Sequence, residues 1–126
     1  MEMKKKILII EDDETFCKTV VNLLKGEGYD VESANDSKQA LELAKTNAFD
    51  LIISDIRLPG KMDGIETVEQ IKSFKANGKT FVIIMTGFAD PDAYERAKSF
   101  GAEDYMFKPF TLDTFLSSVK QRLQVL

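Results

Sequence analysis

The sequence predicts an α/β domain: an open, doubly wound sheet of five parallel strands in the order 2-1-3-4-5. Three observations carry this. Five short apolar runs alternate with longer stretches whose apolar residues recur at helical spacing. The runs are continuously apolar rather than alternating, which suits strands covered on both faces. Right-handed crossovers between successive parallel strands then wind the helices onto both sides of the sheet.

In chain order the runs are Ile7–Ile10, Val31 within Tyr29–Ala34, Leu51–Ile53, Phe81–Ile84 and Tyr105–Phe107. The spacing predicts a first helix over Thr15–Lys25, with Phe16, Val20, Leu23 and Leu24 on one face. Cys17 and Val21 flank that face and widen it. A second helix, Ser37–Thr46, follows Asp36, and Gln39 three residues on resembles a capping box. The third spans Gly64–Lys75 on Ile65, Val68 and Ile71. Asp90-Pro91 reads as an N-cap and first helical residue of the fourth. The fifth, Thr111–Leu123, carries Leu112, Phe115, Leu116, Val119 and Leu123. Gly26, Gly78 and Gly101 punctuate helix ends. With no linker, repeat or low-complexity segment, residues 1–126 read as one domain.

Composition narrows the chemistry. An apolar fraction of 44% excludes a disordered tail. No apolar run approaches the ~20 residues that span a bilayer. The basic start, Met1 to Lys6, leads into an apolar stretch too short for a signal peptide, so a cytoplasmic location and no membrane partner are expected. Cys17 is the sole cysteine, so no intrachain disulfide forms. The absence of histidine removes Ser-His-Asp and Cys-His systems and most zinc sites. What remains are carboxylates, hydroxyls, lysines and a hard, oxygen-bound metal. The net charge of −4 argues against direct nucleic-acid binding.

In a doubly wound sheet the ligand crevice lies outside the carboxyl ends of the strands. The residues following the runs are Glu11, Asp12 and Asp13; Ser54 and Asp55; Met85, Thr86 and Gly87; and Lys108 before Pro109. Singly, each has a bland reading. Asp12 or Asp13 can cap the next helix, Asp55 can serve the turn before Leu58-Pro59-Gly60, Thr86-Gly87 can be a turn, and Lys108 can be a solvated lysine. Jointly they bring acids from two strands to one edge, faced by a lysine from another. Two carboxylates ~4 Å apart repel by ~4 kcal/mol at an effective dielectric of 20. Such a cluster shares a proton or binds a cation, and Mg²⁺ suits an all-oxygen set that leaves positions for water and phosphate.

With these residues in place, the sequence resembles the response regulator receiver domain of two-component signalling over essentially its whole length. The motifs are Ile-Ile-Glu-Asp-Asp (9–13), Ser-Asp-Ile-Arg-Leu-Pro-Gly (54–60), Met-Asp-Gly (62–64), Met-Thr-Gly (85–87) and the run from Gly101 to Phe110. The resemblance implies a flavodoxin-like (βα)₅ fold with Asp55 as phosphoacceptor. It further implies Mg²⁺ held by Asp12, Asp55 and the backbone carbonyl of Arg57, with Glu11 acting through metal-bound water. Thr86 and Lys108 would bind phosphoryl oxygens, and Tyr105 would change rotamer with the switch. A cis Lys108–Pro109 peptide is implied as well. The implied partners are a histidine kinase or histidine phosphotransfer protein upstream and a protein partner downstream.

The expected output face is the fourth helix, fifth strand and fifth helix, centred on Tyr105, with Lys98, Glu103, Asp104, Lys120 and Arg122 as its charges. The expected state is a monomer or a weak, phosphorylation-dependent dimer. The chain leaves no stretch outside the five βα units for a helix-turn-helix. The broad apolar face of the first helix reads foremost as buried on two sides, against the sheet and the fifth helix, as wide core stripes usually are; the competing reading is that part of this surface receives the phosphodonor. Two departures from the family pattern stand out. The loop after Asp55 is one residue longer than the commonest version, with Lys61 as the candidate insertion, and Gly87 stands where alanine is frequent. The competing readings are a nucleotide or flavin binder on the same sheet, which the acidic run after the first strand opposes, and a receiver used as a non-phosphorylated scaffold, which the complete acid, hydroxyl and lysine set opposes.

Overall fold

The computed structural model describes residues 4–124, so the outer limits of the expected 1–126 domain lie outside the described residues. The elements run β1 (Lys6–Ile10), α1 (Glu14–Gly26), β2 (Asp30–Ala34), α2 (Ser37–Thr46), β3 (Leu51–Asp55), α3 (Gly64–Lys72), a 3-10 turn (Lys75–Asn77), β4 (Phe81–Thr86), α4 (Pro91–Phe100), β5 (Asp104–Phe107) and α5 (Leu112–Leu123). All neighbouring strands pair in parallel, in the order β2-β1-β3-β4-β5. The predicted architecture is the observed one.

Strand alternation divides the core into two layers. Leu8, Ile10, Ile52, Val82 and Ile84 face α2, α3 and α4, where Ala40, Ala44, Ile65, Val68, Ile71, Ala93 and Ala97 complete the layer. Ile7, Ile9, Leu51, Ile53, Ile83 and Met85 face α1 and α5, against Val20, Leu24, Phe115, Val119 and Leu123. The predicted stripe of α1 is thus only partly sunk: Val20 and Leu24 are buried, whereas Phe16, Cys17, Val21 and Leu23 pack at its edge. α2 and α4 enter the core on alanines, which carry little hydropathic signal but let each helix lie close to the sheet.

Every helix starts on a capping side chain: Asp13, Asp36, Asp63, Asp90 and Thr111 each accept a backbone N–H from the first turn. The reciprocal capping box falls at Asp63 and Glu66. At the second helix, where the box was expected, Gln39 reaches back to the N–H of Asn35 instead of that of Asp36.

One further sequence expectation is corrected. The third helix, predicted to Lys75, ends at Lys72, and a 3-10 turn follows. The cause is Asn77, fully buried: its amide donates to Ala44 O at 2.9 Å and Asn47 O at 3.0 Å, and its carbonyl accepts from Phe49 N at 2.9 Å. A continued helix would withdraw that side chain and leave these buried groups unpaired. The glycines read as punctuating helix ends all fall at one, Gly26 at the end of α1, Gly78 after the 3-10 turn and Gly101 after α4, where it takes the left-handed cap at φ 90°. Gly26 is still helical and the positive φ falls on Gly28, while Gly78 has φ −64°. The Lys108–Pro109 peptide is cis, as expected.

Candidate functional site at the carboxyl end of the sheet

The site is assembled where β1, β3, β4 and β5 end. Glu11 continues β1 by one residue; its N–H bonds Ala34 O at 3.0 Å, and only 2% of it is exposed. Asp55 closes β3 beside Met85 of β4. Lys108 follows β5, and its N–H bonds Thr86 O at 2.7 Å, which ties it to the end of β4. From there its ammonium donates to Glu11 Oε1 at 2.5 Å and to Asp55 Oδ2 at 2.7 Å. Glu11, Asp12 and Asp55 each present a carboxylate oxygen, all within 4.8 Å of one another. Asp12 is exposed at the mouth, and Asp13 turns away to cap α1.

The Asp55 backbone is clamped from behind. Ser54 Oγ donates to Asp55 O at 2.8 Å, and Gly64 N donates to Ile56 O at 2.7 Å. A Cβ on Gly64 would lie 1.7 Å from Asp55 O, so this position admits only glycine. In front, Arg57 N donates to Asp55 Oδ1 at 3.3 Å. The Arg57 guanidinium lies 3.6 Å from the centroid of Phe88, joining the loop after β3 to the loop after β4.

The electrostatics follow from burial. Desolvation and the neighbouring charge of Asp55 push the Glu11 carboxyl up from 4.5 to about 7, against the pull of Lys108. Burial pulls the Lys108 ammonium down, but its bonds to Asp55 and Glu11 outweigh this and raise it. The acids therefore crowd around one ammonium, which supplies the compensating charge. The donor set is oxygen throughout, which fits a hard divalent ion such as Mg²⁺.

The structure brings Glu11, Asp12, Asp55 and Lys108 together. Arg57 borders them through its backbone. Thr86 is buried at the end of β4, with its hydroxyl turned to its own loop, accepting from Phe88 N at 3.2 Å. Tyr105 lies one strand further on, its ring edge-on to Tyr94 at 5.1 Å and to Phe107 at 5.4 Å. Its hydroxyl is buried, with no hydrogen-bond partner among the described residues.

Three features carry no signal in sequence spacing. These are the Arg57–Phe88 stack, the Phe16 ring 4.4 Å from the Lys108 ammonium, and the bidentate pair of Arg96 on α4 with Asp63 before α3, at 2.9 and 3.2 Å. Each joins residues that only the crossovers make neighbours.

A parallel (βα)₅ sheet with acids and one lysine converging at its carboxyl end defines a class of signalling domain, and comparison with known proteins agrees. The model of the response regulator receiver domain matches residues 7–120, and the chain belongs to that family. It is 40% identical to the transcriptional regulatory protein ZraR of Klebsiella oxytoca over 93% of its own length, and spans 26% of that relative. The crystal structure of a CheY-like receiver domain protein from Methanospirillum hungatei superposes with a TM-score of 0.90 at 30% identity, covering 96% of this chain and 94% of that one. The receiver domain of the sensor histidine kinase PA1611 from Pseudomonas aeruginosa superposes at 0.83 and 26% identity, covering 95% and 98%. That structure holds a magnesium ion coordinated in its active-site cleft. Among the described residues no helix is long and apolar enough to cross a membrane.

Proposed function

We propose that this chain is a phosphoacceptor switch, a single cytoplasmic receiver domain over residues 1–126 in which Asp55 takes a phosphoryl group from a histidine kinase or phosphotransfer protein. The observation that carries the reading is the Lys108 ammonium bridging Glu11 and Asp55 from a third strand end.

An Asp55 carboxylate oxygen attacks phosphorus as the P–N bond to the donor imidazole breaks, giving an acyl phosphate and releasing the imidazole. The chain supplies position and charge rather than further covalent chemistry. Lys108 exchanges a carboxylate partner for a phosphoryl oxygen, to which it offers a point charge. Thr86 offers its hydroxyl to a second one. Asp12, Asp55 and the Arg57 carbonyl would hold Mg²⁺, with Glu11 bonding a metal-bound water. When bound, the ion neutralises charge on the transferring group and relieves the repulsion among the acids. Hydrolysis reverses the state: water adds to phosphorus and the Asp55 carboxylate leaves.

The signal is read as a population shift. Thr86 is drawn to the phosphoryl group, and Tyr105 turns into the space it leaves. The face of α4, β5 and α5 then binds a downstream protein more tightly, as a monomer or through a weak dimer.

The test is incubation with Mg²⁺ and acetyl phosphate. One acid-stable, base-labile phosphoryl group is expected on Asp55. Stoichiometric labelling of Asp55→Asn would overturn the assignment.

A further inference from the structure

Lys108 has an aromatic neighbour besides the acids. Its ammonium lies 4.4 Å from the centroid of the Phe16 ring. Phe16 sits in the first turn of α1, where its N–H donates to the Asp13 cap at 3.1 Å. The ring is half-buried and braced from behind. It meets Phe110 edge-on at 6.0 Å and 69°, and Phe110 stacks on Phe115 at 5.5 Å and 10°. Phe115 belongs to α5 and is 1% exposed. An aromatic series anchored in the core thus ends at the lysine, and Phe110 lies two residues beyond Lys108 in the same connection.

The contact answers a specific need. Lysine carries its charge on a flexible four-carbon stem. Its ammonium has three donors, of which two are engaged by Glu11 and Asp55. A third carboxylate would hold the cation but compete with a phosphoryl oxygen for it. An aromatic face attracts the cation through its quadrupole and offers no competing anion.

We infer that Phe16 is a positioning residue for phosphoryl transfer: its ring face, braced by Phe110 and Phe115, holds the Lys108 ammonium between Glu11 and Asp55 while leaving its donors to the acids and the incoming phosphoryl group. This rests on the reading of Asp55 as phosphoacceptor. A purely apolar role for Phe16 would be served as well by leucine, and that difference supplies the test.

Phe16→Leu and Phe16→Tyr are compared with wild type by two measurements. The first is the proton chemical shift of the Lys108 ε-methylene in the metal-free protein. The ring current displaces it upfield in wild type and Phe16→Tyr, and it returns to the ordinary lysine position in Phe16→Leu. The second is the rate of Mg²⁺-dependent labelling of Asp55 by acetyl phosphate. It falls about five- to tenfold in Phe16→Leu, as loss of a cation–π contact implies, and is restored in Phe16→Tyr. In a Lys108→Ala background Phe16→Leu has no further effect. Equal rates for wild type and Phe16→Leu, a tyrosine variant as slow as leucine, or an undisplaced lysine resonance in wild type would each overturn the inference. A wild type that takes no label refutes the phosphoacceptor reading itself, and with it the transfer role of Phe16. The two failures are told apart because the ring-current displacement reports the Phe16–Lys108 contact without any label.

Discussion

Glu11 shows how burial and charge set the behaviour of a single residue. Its carboxyl is pushed from 4.5 to about 7, chiefly by desolvation. Between these values the folded protein holds a proton that the unfolded chain has released, so stability falls as pH rises through the window. Lys108 does not offset this, since its raised ionisation lies far above neutrality. The metal-free protein should therefore have a higher urea midpoint at pH 5 than at pH 7.5. Glu11→Gln should flatten the profile, and added Mg²⁺ should recover stability at the higher pH. A flat wild-type profile would show that the bond to Lys108 keeps Glu11 ionised. Gly64 makes the complementary steric case. An alanine Cβ there would lie only 1.7 Å from Asp55 O, so Gly64→Ala must displace the backbone that presents Asp55. The expected loss is about 3 kcal/mol, seen as a lower denaturation midpoint, with labelling of Asp55 falling in parallel. An alanine variant of wild-type stability would refute the clash.

Between elements, the informative link runs from the loop after β3 to α4. Asp63 caps α3, completes the capping box with Glu66 and accepts both arms of the Arg96 guanidinium. Arg96 thereby fixes one side of α4 to the loop that begins at Asp55. The pair is about one-third exposed, so solvent screening holds its contribution to about 0.5–1 kcal/mol. Asp63→Ala should cost about 2 kcal/mol, because the cap is lost with the pair, and Arg96→Ala about 0.5–1 kcal/mol. A double-mutant cycle by urea denaturation should return a coupling of about 0.5–1 kcal/mol; zero coupling would mean that the ion pair does not form in solution. The same helices show where pattern reading succeeds. Asp90-Pro91 and Thr111 mark the starts of α4 and α5 because caps and N-terminal proline act through the first turn alone. The end of α3 escaped it because Asn77 is fixed by partners at the end of α2 and in the connection to β3, some 30 positions earlier in the chain.

For the whole molecule, the question is whether a charge added at Asp55 reaches the face of α4, β5 and α5. Tyr105 is the natural reporter. Its ring packs between Tyr94 and Phe107, edge-on to both, so a change of rotamer would alter both contacts. Addition of beryllofluoride and Mg²⁺ should shift the resonances of Tyr105 and α5 as well as those of the acid pocket, and Tyr105→Ala should confine the changes to the pocket. Shifts restricted to Glu11, Asp12 and Asp55 in wild type would show that this face does not carry the signal.

The sequence by itself determined the order of strands and helices, the two-sided sheet and the set of residues at its carboxyl edge. These are legible because strand and helix periods, caps and proline act over a few neighbouring residues, and the handedness of parallel crossovers leaves few topologies. The receiver resemblance, carried by short motifs at the strand ends, also points to Asp55, Thr86, Lys108 and Tyr105. Only the tertiary structure decided what these residues touch. Lys108 meets Glu11 across 97 positions of chain, Phe16 lies against its ammonium, Arg57 stacks on Phe88, and Gly64 is packed on the Asp55 carbonyl. Such contacts leave no periodicity in sequence, because their energy depends on side chains from separate crossovers meeting at one edge. The turn at Asn77 and the alanine faces of α2 and α4 belong with them: a buried amide and a close helix approach are properties of the space around a residue, set by the packed sheet rather than by its neighbours along the chain.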